Sequence, residues 1–211
     1  MQKGNISTAY RQELREKILK ASMHEFMTKG IKAVKMDDIA KHLSISKRTL
    51  YEIYSNKEEL LLAGMTFHEQ QCEQRLTSYA ADPRHSVVDV ILEYYRMQMR
   101  NMVDVTPLVF AEISTYKQVF AYLEGRRRRR DEQARLFFAR GVQEGFFRAD
   151  VDYGIVAAIA EASLNHVMEA RMYEHHDLAY IFQNIVFLFV RGFCTQKGIR
   201  IVDAFLGEKG A

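Results

Sequence analysis

The chain has 211 residues, 48% hydrophobic and 27% charged, a balance that allows a full core and excludes a disordered chain. Its two cysteines, Cys72 and Cys194, stand far apart without framework spacing, which excludes a disulfide scaffold and fits a reducing, cytoplasmic setting. The net charge of +3 hides an asymmetry: residues 1–57 hold 12 Lys and Arg against 6 Asp and Glu, leaving the remainder at −3, as expected of a basic head for nucleic acid on a mildly acidic body.

The first residues, MQKGNISTAY, lack the apolar core of a secretory signal. Thr8 to Lys29 carries Leu14, Ile18, Leu19, Phe26 and Met27 at helical spacing, and Gly30 marks the stop. Met36 to Leu43 reads as a short second helix opened by Asp37 and Asp38, the sign favoured at a helix N-terminus. Ser44-Ile45-Ser46 is a tight turn, with Ser46 the N-cap of a third helix from Lys47 to Tyr54. Asn56 is placed to cap a long fourth helix from Lys57 to about Ala81, closed by Pro83. Further helices are predicted at Ser86 to Met102, from Thr106-Pro107 onward, Gln118 to Glu144, Tyr153 to Tyr173 and Asp177 to Gln196. With no sustained strand period, the expected fold is all-α. A three-helix head over residues 1–57 carries a larger helical body over 58–211, about nine helices in all. The most apolar stretch, Ile181 to Cys194, holds Gln183, Asn184 and Arg191 and is too short to span a bilayer, so no membrane partner is expected.

Two short helices joined by a three-residue turn form a helix-turn-helix pattern. Ile39, Ala40, Leu43, Ile45, Leu50 and Tyr54 can build its core, which leaves the other face of the third helix for a DNA major groove. Residues 30–60, GIKAVKMDDIAKHLSISKRTLYEIYSNKEEL, resemble the DNA-binding domain of the TetR family of bacterial repressors. The matching pieces are Gly30, Asp38-Ile39-Ala40, Ser46, Thr49-Leu50-Tyr51, Tyr54 and Asn56-Lys57-Glu58-Glu59-Leu60, spaced as in that family. The resemblance implies that Lys47, Arg48 and Thr49 face bases while Tyr51 and Lys57 grip phosphates, Lys57 from a helix N-terminus. Three positions depart from it. Lys35 replaces the usual Thr or Ser and would supply a lysine contact to phosphate, Ser44 replaces the turn glycine, and Ile53 replaces a common histidine.

The resemblance also implies a dimer through the last two helices. Ala158 and Ala162 allow close helix approach, and the Ile181 to Phe193 helix, apolar nearly all round, must be covered on every side. Phe187 and Val190 are the expected contacts with the mate; a central helix of a monomeric core is the alternative. Tyr94, Tyr95, Met99, Phe110, Tyr116, Phe137 and Met168 are candidate lining for a hydrophobic or amphipathic ligand, although such residues also serve as plain core. If the seventh helix continues through Gly125, Arg127 and Arg130 point into its apolar face and need an anion, either a ligand or Glu93, Glu112 or Glu161; if Gly125 breaks it, the run Arg126 to Arg130 is solvated. The cluster His166, Glu169, Glu174, His175, His176 and Asp177 matches no zinc spacing, and neither metal nor cofactor is expected.

The function these readings support is sequence-specific transcriptional regulation: a cytoplasmic homodimer on a palindromic operator of double-stranded DNA, acting as a repressor released by a small ligand. A nucleoid or division factor without an inducer is the second class. A helical enzyme is the third, against which no nucleophile–base pair, phosphate loop or metal set is visible, so no enzymatic activity is expected.

Overall fold

The computed structural model of the chain describes residues 3–103 and 105–207, with side chains from residue 9 onward except those of residues 127–132. Among these residues the secondary structure is helical: α1 Lys3–Lys29, α2 Met36–His42, α3 Lys47–Ile53, α4 Lys57–Ala80, α5 Val87–Met102, α6 Leu108–Ile113, α7 Lys117–Gln143, α8 Tyr153–Glu169, a 3-10 turn Met172–Glu174, α9 Leu178–Phe193 and α10 Gln196–Gly207. No described helix is long and apolar enough to cross a membrane.

Two compact units form, one from residues 1–71 with 104–124, the other from 72–103 with 125–211. The first therefore holds α6 and the start of α7 besides the predicted head, a different partition from one cut at Lys57. Its core gathers Ile18 and Phe26 of α1, Ile31, Ile39, Leu50, Tyr54 and Leu60, all essentially sealed from solvent. Burial on this scale stabilises by about 1.5–3 kcal/mol for each large side chain. Ser22, buried on α1, returns its hydroxyl to the Ile18 carbonyl at 2.7 Å, so the polar group is satisfied where it lies. Gly30 ends α1 at φ +90°, its N–H donating to the Phe26 carbonyl at 3.0 Å.

The segment 104–124 is tied to the rest of this unit by hydrogen bonds that no local pattern announces. The Thr106 N–H donates to the Met27 carbonyl at 2.7 Å, the Lys32 N–H to Glu112 Oε2 at 2.8 Å, and the Gln118 N–H to Glu58 Oε1 at 2.7 Å.

The second unit is built on α5, α9 and α10. Tyr95, fully buried on α5, meets Phe187 edge-on at 4.8 Å and Phe205 at 5.9 Å, and donates its hydroxyl to Gln183 Oε1 at 3.0 Å. One alternative left open by the sequence closes here, and two helix ends are corrected. Helix α7 runs unbroken through Gly125, because one glycine in 27 residues weakens a helix by about 1 kcal/mol without ending it. Helix α8 stops at Glu169, where Arg171 turns to φ +50°. Helix α9 ends at Phe193 instead of Gln196, and α10 follows. The Phe193 carbonyl accepts from the Arg148 N–H and the Phe146 carbonyl from the Thr195 N–H, both at 2.9 Å, which pulls residues 194–195 into extended pairing.

Candidate nucleic-acid interface

Helices α2 and α3 are held by local chemistry. The Ser46 Oγ accepts from the Thr49 N–H at 3.0 Å and lies 2.8 Å from the Thr49 hydroxyl, so Ser46 caps α3 as its sequence predicts. At the end of α2, Ser44 adopts φ +53°, with its N–H on the Lys41 carbonyl and the Ile45 N–H on the Ala40 carbonyl. This is the double-bonded helix stop in which glycine is usual. A left-handed serine costs about 1–2 kcal/mol, partly offset by its lower freedom when unfolded. Ser44→Gly is therefore expected to raise stability by about 0.5–1 kcal/mol, read as a higher urea midpoint at unchanged slope.

Leu50 and Tyr54 anchor α3 in the core, and the opposite face is open. The Arg48 side chain is 88% exposed with Nε 2.8 Å from Glu52 Oε1, and Lys47 Nζ pairs with Asp37 Oδ2. These carboxylates raise both cations' pKa and keep the charge in place, and both pairs are exposed enough to exchange a carboxylate for a phosphate or a base edge. Tyr51 is 47% exposed beside them. Thr49 is half-buried and its hydroxyl meets Ser46. Lys35 is exposed at the start of α2, its N–H donating to Asp38 Oδ2 at 3.3 Å.

Lys57 departs from its expected role. Its Nζ donates to the carbonyls of Ile31 at 2.8 Å, Val34 at 2.9 Å and Lys32 at 3.4 Å, which commits the ammonium to the turn between α1 and α2. Burial lowers its pKa. At the α4 N-terminus Asn56 Oδ1 accepts from the Glu59 N–H at 2.8 Å, and Glu59 reaches back to accept from the Ser55 N–H at 2.8 Å. Lys57 is a half-buried cap of this turn, and its carbonyl partners compete with any phosphate for the same ammonium. We expect Lys57→Met to lower the melting temperature while leaving the salt dependence of DNA binding unchanged.

The expected mate contacts are also revised. Phe187 and Val190 are buried in their own unit, since on a helix apolar all round they happen to face α5 and α10. Ala158 and Ala162 are exposed, and Ile155 and Ile159 extend the same stripe of α8 at helical spacing. On α9, which packs against α8, Tyr180 and Leu188 are exposed, Leu188 at 72%.

The candidate pocket residues divide between the units. Phe110 and Tyr116 belong to the first; Tyr94, Tyr95, Met99, Phe137 and Met168 belong to the second. Tyr95 is sealed core, which removes it as lining for an open site. The side chains of Arg127 and Arg130 lie outside the described residues. Of the acids expected to serve them, Glu93 already pairs with Arg75, Arg96 and Arg100, and Glu112 already holds the Lys32 N–H. Among the described residues no group of three or more His, Cys, Asp or Glu side chains could hold a metal ion.

Comparison with known proteins extends this geometry. Residues 18–63 match the family model described as bacterial regulatory proteins, tetR family. The fold is similar to that of a TetR-family transcriptional regulator from Agrobacterium tumefaciens, with TM-score 0.70, 16% identity and coverage of 88% of this chain and 100% of that one. It is also similar to a regulator from Saccharomonospora viridis solved in complex with choline (TM-score 0.69, 16% identity, 88% and 100% covered). A third likeness is to the fatty acid degradation regulator FadR from Bacillus halodurans (TM-score 0.61, 17% identity, 84% and 98% covered). Comparison with curated protein sequences gives no match.

Proposed function

Through its helix-turn-helix the chain belongs to the tetR family of bacterial regulatory proteins, a DNA-binding transcriptional regulator, and from that premise we propose that it is a homodimeric repressor released from a palindromic operator by a small ligand. The observation that carries the reading is the recognition face of α3: Lys47, Arg48 and Tyr51 project from a helix pinned behind by Leu50 and Tyr54. Two such helices, one per protomer, must reach successive major grooves about 34–36 Å apart or a multiple of that. The exposed apolar stripes of α8 and α9 are the proposed contact with the second protomer.

A ligand-responsive body is supported by relatives of the same fold, one of which holds choline. The proposed occupant here is a hydrophobic or amphipathic small molecule held within the second unit, among residues such as Tyr94, Met99, Phe137 and Met168. The proposed setting is cytoplasmic, and no catalytic step is assigned.

Lys47→Ala and Arg48→Ala test the DNA reading. A base contact is worth about 1–3 kcal/mol, so each should weaken operator binding by about 5- to 150-fold while binding to unrelated DNA changes far less. Fluorescence anisotropy on operator and scrambled duplexes, the operator taken from genome-wide occupancy in the host, reads the difference. If the double substitution leaves operator affinity unchanged at matched salt, α3 is not the reading helix.

A further inference from the structure

A groove of about 540 Å³ opens in the first unit between α1 and α4, large enough for a small organic ligand and unused by the function proposed above. Its floor is apolar: Leu19 of α1 and Leu62, Ala63 and Phe67 of α4 line it, the last three half-exposed. Tyr54, the buried residue that follows α3, closes one wall. The Tyr54 ring is 2% exposed, and its buried hydroxyl makes no well-formed hydrogen bond, with the Arg15 guanidinium close enough to interact with its oxygen but leaving its O–H unmatched. A buried donor left in this state costs about 1–3 kcal/mol. The Arg15 guanidinium lines the same wall, its Cζ 5.8 Å from the centre of the Tyr54 ring, and makes no ion pair within 4.0 Å among the described residues.

The two acids at the rim are already engaged. Glu59 takes the N–H and hydroxyl of Ser55, and Glu16 stands 3.8 Å from Lys20. The groups left to satisfy are therefore a phenol O–H and a guanidinium, both of which donate, above an apolar floor. That set calls for an acceptor carrying negative charge on an apolar body. A cationic ligand would have to compete with Lys20 for Glu16 or with Ser55 for Glu59, and would meet Arg15.

We propose that this groove is a binding site for amphipathic carboxylates, with the apolar body on Leu19, Leu62, Ala63 and Phe67 and the carboxylate accepting from the Tyr54 hydroxyl and the Arg15 guanidinium. The site lies within the DNA-binding unit, so it is distinct from a ligand site in the body. Because α1, the end of α3 and α4 all line it, an occupant joins the helices of the head and stabilises their packing by mass action.

The test uses the full-length protein and 2-naphthoate as probe. Two-dimensional methyl spectra are followed with isotope on Leu and Ala, together with calorimetric titration. The expected result is a saturable shift of the Leu19, Leu62 and Ala63 methyl signals, with Tyr54→Phe and Arg15→Gln each weakening the binding that causes it by about tenfold. Tyr54→Phe removes an unsatisfied hydroxyl without changing shape, so this variant should melt no lower than the parent. 2-Naphthylmethylammonium, of the same shape and opposite charge, should leave these three signals unmoved. The proposal is overturned if 2-naphthoate shifts only methyl groups of the second unit, such as Leu92 and Leu188, or none. It is equally overturned if both variants bind as the parent does, or if the ammonium analogue shifts the same three signals.

Discussion

Leu188→Glu is expected to give a folded monomer that has lost operator binding. The side chain is 72% exposed on α9 and continues the line of Tyr180, also exposed, at one residue per two turns. Within a single protomer a glutamate there contacts water, so the melting curve of the isolated chain should hardly move. Against a symmetry mate it meets its own copy, or the apolar stripe of Ile155, Ala158, Ile159 and Ala162, and buries an unpaired charge. Losing the second recognition helix removes the linked binding event, which is worth about 10²–10⁴ in affinity. Sedimentation velocity and operator anisotropy on the same preparation check both halves. Phe187→Glu should behave differently: that ring is buried between Tyr95 and Phe205, so the charge enters the core of its own unit and the chain should unfold rather than dissociate. A Leu188→Glu dimer of normal operator affinity would place the interface elsewhere.

The contrast between Phe187 and Leu188 shows where reading the sequence stops. Local chemistry was legible: Gly30 as a stop and Ser46 and Asn56 as caps depend on neighbours within four residues, and Leu50 and Tyr54 stand out as apolar anchors by their helical spacing. The α3 recognition face follows from the same few positions. An all-apolar helix such as α9 has no phase of its own, so which of its residues faces the unit's core and which faces out is decided by α5 and α10. Helix α10 itself carries Ile199, Val202, Phe205 and Leu206 at helical spacing, a signal present in the sequence but passed over once α9 was extended to Gln196. Lys57 illustrates the other limit. Its position at a helix N-terminus suggested a phosphate, whereas its partners are carbonyls 23 to 26 residues upstream that no spacing rule connects to it. The hydrogen bond from Lys32 to Glu112 spans 80 residues and is invisible for the same reason.

Glu93→Gln is expected to lower the melting temperature by about 4–8 °C, and its reason is a surplus of positive charge. The Glu93 side chain is 8% exposed on α5, and three guanidiniums converge on it: Arg75 of α4 at 3.0 Å, Arg100 at 3.2 Å and Arg96 at 3.7 Å. Arg96 also lies over the Phe205 ring at 4.6 Å, which fixes its place whether or not the carboxylate is present. Glutamine keeps the volume and one acceptor oxygen but leaves three cations facing one another. Breaking a fully buried ion pair costs about 3–5 kcal/mol. These arginines are partly solvated, 38% to 57% exposed, and screening reduces the loss to about 2 kcal/mol, or about 2–4 °C per kcal/mol in a chain of this size. Two controls separate a shared carboxylate from a single pair. Sulfate should restore part of the lost stability by replacing the missing anion. Arg75→Met or Arg100→Met alone should cost less than Glu93→Gln, because two guanidiniums remain to satisfy Glu93. If one arginine substitution costs as much as the glutamine, a single pair carries the effect; if Glu93→Gln melts with the parent, the three-arginine arrangement contributes nothing to stability.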